Sequence, residues 1–151
     1  MSRNILLARP HPFIVSEMKP FLEQNGYAPT PLAVLADLPA STTGVAGAII
    51  SLAVVSSIGE SAETVFTALR KSAPRLPVLF ASIIDFAAAK STLERLAKNA
   101  GYTGAILGID AASESNPALG KPDTFLFLTK DDLVSPEQRA LATRIIKRHF
   151  R

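Results

Sequence analysis

The sequence predicts an α/β fold in which helices cover both faces of a parallel sheet of five or six strands. Short uncharged runs rich in β-branched residues, of which Gly47–Val55 is the most apolar, are typical of strands buried on both faces. Segments of helical periodicity separate these runs, and proline, glycine and small polar residues mark the boundaries. Because crossovers between parallel strands are right-handed, the helices must lie on both faces of the sheet.

Composition places the chain among folded single domains. It has 151 residues, of which 48% are hydrophobic and 19% charged, and this excludes a disordered chain. The absence of cysteine excludes disulfides and thiolate metal sites. The net charge of +3 comes from residues 139–151, which carry five basic residues and no acid. The remaining sequence is slightly acidic, so a nucleic-acid partner is not favoured.

The sequence also argues against membrane insertion. The uncharged window between Asp37 and Glu60 contains one proline, Pro39, with several serines and threonines, and its apolar middle is much shorter than the roughly 20 residues a spanning helix needs. Prolines at positions 10 and 12 are unlike a signal peptide. We therefore expect a cytoplasmic protein with no membrane partner, no cofactor and no metal.

The first elements are a strand, an interrupted helix and an edge strand. Asn4–Ala8 is the first strand, and a helix follows from Phe13 to the stop at Asn25-Gly26. Pro20 removes one backbone bond of this helix and predicts a kink. Two prolines within Ala28–Leu32 restrict that strand to a sheet edge or an irregular conformation.

The later elements alternate regularly. After a short helix at Ala33–Leu38 and the central strand, a helix is capped by Ser57 or by the competing Ser61. The elements that follow are a strand at Pro77–Ser82, a helix from Asp85 to Asn99, a strand at Gly104–Ile109, a loop at 110–123 with at most one helical turn, a strand at Thr124–Thr129, and a helix that starts at Ser135-Pro136-Glu137 and runs to the end of the sequence.

Ligands in such sheets bind at the carboxyl ends of the strands. The residues predicted there are Arg9, Pro10, Ser51, Ser82, Gly108 and Lys130. One hypothesis is that a guanidinium, two hydroxyls and Lys130 form a small anion pocket. The alternative is that Arg9 is solvated in a loop and that the serines bond to local backbone.

Four segments carry a family resemblance, namely Ile5–Ile14, Phe21–Tyr27, Pro77–Ser82 and Ala100–Ile106. In them the chain resembles the CheY-like receiver domain of response regulators. The resemblance covers residues 3 to about 109 and implies a flavodoxin-like strand order 2-1-3-4-5. It implies a single domain over residues 1–151, in which residues 110–151 depart from the family pattern.

The resemblance also defines a degenerate phosphorylation site. Receivers bind Mg²⁺ and accept a phosphoryl group through an acidic pair after the first strand and an aspartate after the third. Here the pair falls on Arg9 and Pro10, and the aspartate falls on Ser51. Because Mg²⁺ prefers carboxylate oxygens and phosphoryl transfer depends on the metal, aspartyl phosphorylation is not expected at Ser51.

Two further family positions are the hydroxyl after the fourth strand and the lysine after the fifth. The hydroxyl is present as Ser82. The lysine falls on Gly108 by local spacing, or on Lys130 if Thr124–Thr129 is the true fifth strand. The two alternatives remain open in the sequence.

The predicted function is that of a pseudo-receiver, a non-enzymatic module of a two-component-type system that acts alone through protein contacts. Its partner would be a histidine kinase, another signalling protein or a second copy of the chain. The alternative is a flavodoxin-like binder of a small anionic ligand at the strand ends. Phosphorylation at Asp37, Asp85 or Asp110 is a third alternative, weakened because none of them ends the third strand.

The last helix offers an interaction surface. Its apolar residues Leu141, Ile145 and Ile146 are expected to face the core. Four cations share the opposite stripe, namely Arg144, Lys147, Arg148 and Arg151. The stripe could bind an acidic partner, or it could complement the helix dipole.

Four other polar residues are not expected to bind metal. His149 and His11 lack metal-ligand spacing. The pair Asp131-Asp132 is expected to belong to the turn before the last helix.

Overall fold

A computed structural model describes residues 3–9, 14–32, 34–38, 42, 44–52, 60–82, 86–99, 106–121 and 124–150. Its centre is a six-stranded sheet in the order β2-β1-β3-β4-β6-β5, and every pairing is parallel. The strands are β1 (Arg3–Arg9), β2 (Tyr27–Pro31), β3 (Val45–Ser51), β4 (Val78–Ser82), β5 (Ile106–Leu107) and β6 (Phe125–Thr129). The predicted parallel α/β sheet is confirmed.

The helices alternate with the strands. They are α1 (Lys19–Gln24), α2 (Ala62–Ser72), α3 (Phe86–Asn99), α4 (Ala111–Glu114) and α5 (Pro136–His149). Shorter turns complete the set: a π-helical turn at Ile14–Met18 and 3₁₀ turns at Leu35–Asp37 and Lys130–Leu133. No helix in the described ranges has the length and apolar character needed to cross a bilayer.

The sheet separates two apolar clusters. On β1, Ile5 and Leu7 belong to one cluster while Leu6 and Ala8 belong to the other, as the two-residue period of a strand requires. Helices α1 and α5 contribute to the first cluster, and α2 and α3 contribute to the second. Both faces of the sheet are therefore covered, which explains why its strands read as continuous apolar runs.

Strand β2 forms one edge of the sheet, as its prolines predicted. The Leu32 amide donates to the Leu7 carbonyl at 2.9 Å. Main-chain N–H groups two residues apart in a strand point to the same side, so those of Ala28 and Thr30 point toward β1 as that of Leu32 does. The main-chain nitrogens of Pro29 and Pro31 point away from β1, toward the open side of the sheet. The missing amide hydrogens therefore weaken no pairing with β1, and they protect the edge against another strand.

The helix starts follow side-chain capping. Ser61 accepts a bond from the Thr64 amide at 3.2 Å, so it caps α2, while Ser57 lies outside the described residues. Ser135 caps α5 in the predicted way, accepting from the Gln138 amide at 3.1 Å. In the first helical segment, a π-helical turn precedes α1 and Pro20 occupies the first turn of α1, where it removes no α-helical bond.

The fifth and sixth strands exchange the places expected from chain order. β6 lies between β4 and β5, and β5 is the outer edge strand. Among the described residues β5 is Ile106–Leu107, so the predicted strand at Gly104–Ile109 extends too far at its carboxyl end: Gly108 and Ile109 lie beyond it, and residues 104 and 105 lie outside the described ranges. The strand next to β4 is therefore the one that ends at Thr129.

Phe150, the last residue that the structure describes, is anchored at the amino end of the sheet. Phe150 is fully buried, and its carbonyl accepts from the Tyr27 hydroxyl at 2.7 Å and from the Arg3 guanidinium at 3.3 Å. Its ring lies against Gly47 of β3, where an added Cβ would be 2.2 Å from Phe150 Cδ1. Glycine is thus required at position 47 by the close approach of an aromatic ring.

The Tyr27 bond predicts a loss of stability at alkaline pH. Burial raises the pKa of the Tyr27 hydroxyl above its ordinary value of 10.0, and Arg3 partly opposes this rise. A pKa raised by folding gives stability that is complete below about pH 10 and is lost as the pH rises through the folded-state pKa. Tyr27→Phe should therefore cost about 1 kcal/mol at pH 7 and show a smaller decline above pH 10. Urea unfolding of both proteins from pH 7 to pH 11 measures this, and parallel declines would contradict it.

Candidate functional site

Sheet topology brings four of the predicted site residues together at the carboxyl end of the sheet. In register, Arg9 of β1 pairs with Ile50, Ser51 of β3 pairs with Ala81, and Ser82 of β4 pairs with Thr129 of β6. Lys130 follows directly after β6. The carboxyl ends of β1, β3, β4 and β6 are thus adjacent, as expected for the ligand-binding edge of a doubly wound sheet.

Arg9 is a buried cation at the carboxyl end of the sheet. Its side chain is only 4% exposed. Nη1 donates to the Ser51 carbonyl at 2.8 Å, and Nε donates to the Glu60 carbonyl at 3.0 Å. Burial lowers the pKa of the guanidinium. The alternative of a solvated Arg9 is therefore wrong: the charge is compensated within the fold by main-chain oxygens.

The two serines lie at the ends of central strands. Ser51 and Ser82 are both buried. The Ser51 carbonyl is one of the acceptors of Arg9, so this residue and the cation form one unit. Pro10, the remaining predicted member of this group, lies outside the described residues.

Lys130 also lies at the carboxyl end of the sheet, but it is exposed. Its Nζ is 3.6 Å from Glu17 Oε1, and its side chain is 53% exposed. Gly108 follows β5 and is buried, one strand farther from β4 than Lys130. By topology, Lys130 follows the strand beside β4 and Gly108 does not.

A neighbouring hollow of about 280 Å³ lies between the ends of β5 and β6, and Gly108, Thr129 and the aspartates 110, 131 and 132 contribute to its lining. Asp132 accepts from the Thr129 amide at 2.8 Å and from Gln138 Nε2 at 2.9 Å. The prediction that this acidic pair belongs to the turn before the last helix is confirmed for Asp132. Asp110 caps α4 by accepting from the Ser113 amide at 2.7 Å.

The donor set does not fit the Mg²⁺ that receivers bind. Mg²⁺ requires hard oxygen ligands, chiefly carboxylates and water. At the first position of the acidic pair this chain has the Arg9 guanidinium, and at the phosphoacceptor position it has Ser51. In the part of the chain that the structure describes, no group of three or more His, Asp or Glu side chains could hold a metal ion.

The basic stripe of α5 is partly neutralised. Arg144 forms an ion pair with Glu114 of α4 at 2.5 Å, whereas Lys147 is exposed. Arg148 is half-buried, and Arg151 lies outside the described residues. On the opposite side of the helix, Ile145 and Ile146 are buried and Leu141 is half-buried, as predicted.

A second hollow, of about 330 Å³, adjoins this stripe at the amino end of the sheet. It is lined by Arg3, Asn25, Gly26, Tyr27 and Lys147. The two cations contribute positive charge to a concave surface, on the side of the molecule opposite to Arg9.

Sequence comparison identifies no relative: no protein-family model matches the chain, and no curated protein matches it significantly. The structure, however, is similar to a response regulator receiver protein from Sinorhizobium medicae WSM419, with 15% identity, a TM-score of 0.50, and coverage of 98% of this chain and 94% of that chain. It is also similar to a response regulator receiver domain protein from Clostridium thermocellum, with 11% identity, a TM-score of 0.54, and coverage of 99% and 94%.

A third similar structure is NtrX from Brucella abortus, with 16% identity and a TM-score of 0.54. The match covers 98% of this chain but 28% of that chain. At these identities the comparisons establish the fold: the chain has the CheY-like receiver fold that residues 3 to about 109 resemble. The exchanged places of β5 and β6 are a feature of its second half.

Proposed function

We propose that the chain is a pseudo-receiver, a module of two-component-type signalling that acts through protein contacts and without aspartyl phosphorylation. The observation that carries the proposal is the buried Arg9 guanidinium, bonded to the Ser51 and Glu60 carbonyls at the position where receivers have metal-binding acids. The receiver fold of the similar structures supports the signalling role.

Chemistry supports the loss of phosphotransfer. Aspartyl phosphorylation requires a carboxylate nucleophile and a divalent ion that neutralises charge on the migrating group. Ser51 offers a buried hydroxyl, and the permanent charge of Arg9 repels a metal cation. The chain would therefore transmit its signal through surface shape and charge.

The proposed partner surface lies on α5 and the amino end of the sheet. In receivers the output surface is the helix–strand–helix face at the fifth strand. Here β5 and α4 lie beyond β6 on that side, and Arg144 of α5 pairs with Glu114 of α4. Lys147 and Arg3 line a concave basic surface. An acidic segment of a histidine kinase, another signalling protein or a second copy of the chain would complement it.

Acetyl phosphate labelling tests the proposal. Wild-type protein, with Mg²⁺ and acetyl phosphate, should gain no phosphoryl group by intact-mass measurement, whereas an active receiver treated in parallel should. The single variant Ser51→Asp should also remain unlabelled, because Arg9 still occupies the metal position. Phosphorylation of wild-type protein at any aspartate would overturn the proposal.

The alternative, a binder of small anions at the strand ends, is less well supported because its cation already donates to main-chain oxygens. Thermal-shift measurements with phosphate and nucleotides distinguish the two. A rise in melting temperature that Arg9→Met abolishes and Lys147→Met does not would favour the strand-end site over protein contacts.

A further inference from the structure

Arg9 bonds to both ends of the connection between β3 and α2. Ser51 is the last residue of β3, and Glu60 lies just before the Ser61 cap of α2. One guanidinium donates to both carbonyls, at 2.8 Å and 3.0 Å. The chain therefore leaves the sheet at residue 51 and returns to the same cation at residue 60.

We propose that Arg9 is a built-in staple that holds the carboxyl end of β3 and the residue before the cap of α2 together at one corner of the fold. Where receivers bind an exchangeable metal cation, this chain has a cation that is covalently attached to β1. A bound metal can dissociate and can report the state of the site, whereas the Arg9 side chain is always present. The corner formed by β1, β3 and the start of α2 would thus be fixed independently of any phosphate donor or divalent ion.

The physical basis is a charge-assisted pair of bonds in a buried place. Hydrogen bonds from a charged donor are roughly twice as strong as neutral ones. Arg9 is 4% exposed, so moving Ser51 and Glu60 apart would leave a desolvated guanidinium without these acceptors. The planar group offers its Nε and Nη1 donors in a fixed geometry, so both carbonyls must keep their positions.

A backbone amide next to each of the two stapled residues reports whether the staple holds. The Leu52 amide donates to the Ala81 carbonyl at 2.9 Å, immediately after Ser51. The Thr64 amide donates to Ser61 Oγ at 3.2 Å, in the first turn of α2. Each bond involves the residue that directly follows one of the carbonyls bound by Arg9, Leu52 after Ser51 and Ser61 after Glu60.

Native-state hydrogen exchange by NMR tests the staple. Arg9→Met retains an unbranched side chain and removes the donors. We expect exchange at Leu52 and Thr64 to rise about tenfold or more, which corresponds to the loss of a charge-assisted hydrogen bond. The Phe80 amide in β4 should change less. Arg95→Met, which alters an exposed arginine of α3, should leave all three rates as in wild type. Unchanged Leu52 and Thr64 rates in a folded Arg9→Met protein would overturn the staple.

The wild-type protein supplies a second test if Arg9→Met does not fold. The Arg9 Nε–H should exchange with water at least about tenfold more slowly than the exposed Arg95 Nε–H, because it belongs to a buried residue and donates to the Glu60 carbonyl. Equal rates would show that the side chain is not held and would refute the inference. Neither result depends on the proposed function, since acetyl phosphate labelling and partner binding are measured separately.

Discussion

Gly47→Ala should lower the free energy of unfolding by about 3 kcal/mol, the upper part of the range for overpacked cores. The new methyl would lie 2.2 Å from Phe150 Cδ1 and 2.3 Å from Cε1, well inside van der Waals contact. Because Phe150 is fully buried and its main chain is tied to Tyr27, the ring cannot move without disturbing that anchor. Urea denaturation of wild type and variant measures the change.

A double-mutant cycle separates this steric cause from a backbone effect. Phe150→Ala alone should cost about 3 kcal/mol through the cavity it leaves. In that background Gly47→Ala should cost little, so the coupling energy should be about 2 kcal/mol or more. Gly26→Ala is the matched control: Gly26 has φ +88 and open space at its Cβ position, so its cost of about 1 kcal/mol should not depend on Phe150. Additive costs for Gly47→Ala and Phe150→Ala would contradict the steric explanation.

His149→Leu should destabilise the fold by about 3 kcal/mol, because it removes both hydrogen bonds of a buried ring and takes its acceptor from the Gly120 amide. The fully buried ring lies between the Gly120 amide, 3.1 Å from Nδ1, and the Val78 carbonyl, 3.0 Å from Nε2. An amide can only donate and a carbonyl can only accept, so the ring is neutral with its hydrogen on Nε2. One side chain thus joins α5 to β4 and to the segment before β6.

His149→Gln offers the control for volume against hydrogen bonding. Its amide can restore one of the two bonds, so its cost should lie between those of wild type and His149→Leu. Nitrogen chemical shifts of the ring check the tautomer directly in the wild-type protein. A ring with its hydrogen on Nδ1, or a Leu variant as stable as wild type, would refute this role.

The elements of the fold were predictable where the signal is local. Apolar runs bracketed by proline and glycine located the strands, and Ser135-Pro136-Glu137 located the start of α5. The prolines of β2 predicted its place at an edge. Between Ser57 and Ser61, however, a capping pattern could not choose, since both have the required side chain.

The order of β5 and β6 was not predictable from the sequence. Local spacing favours Gly104–Ile109 as the fifth strand, yet the strand beside β4 is β6. Which strand lies beside β4 depends on packing across the whole sheet, and β6 supplies five buried residues where β5 supplies two that are half-buried. Burial therefore outweighs sequence proximity here.

The site residues were predicted, but their partners were not. Sequence placed Arg9 and Ser51 at the carboxyl ends of two strands, and the structure places them at the ends of the neighbouring strands β1 and β3. Two acceptors of Arg9 are the main-chain carbonyls of Ser51 and Glu60, and such groups have no sequence signature. Arg70 shows the same limit: it is buried 5.3 Å from the Phe66 ring centre and 4.9 Å from that of Phe125, and no pattern distinguishes it from an exposed arginine.

The exchanged positions of β5 and β6 constrain the order in which the strands can pair during synthesis on the ribosome. The described β5 has β6 as its only neighbour in the sheet. Until residues 125–129 have emerged, Ile106 and Leu107 have no strand to pair with. The first four strands can assemble during synthesis, but the outer edge must wait for a later part of the chain to be inserted between it and them.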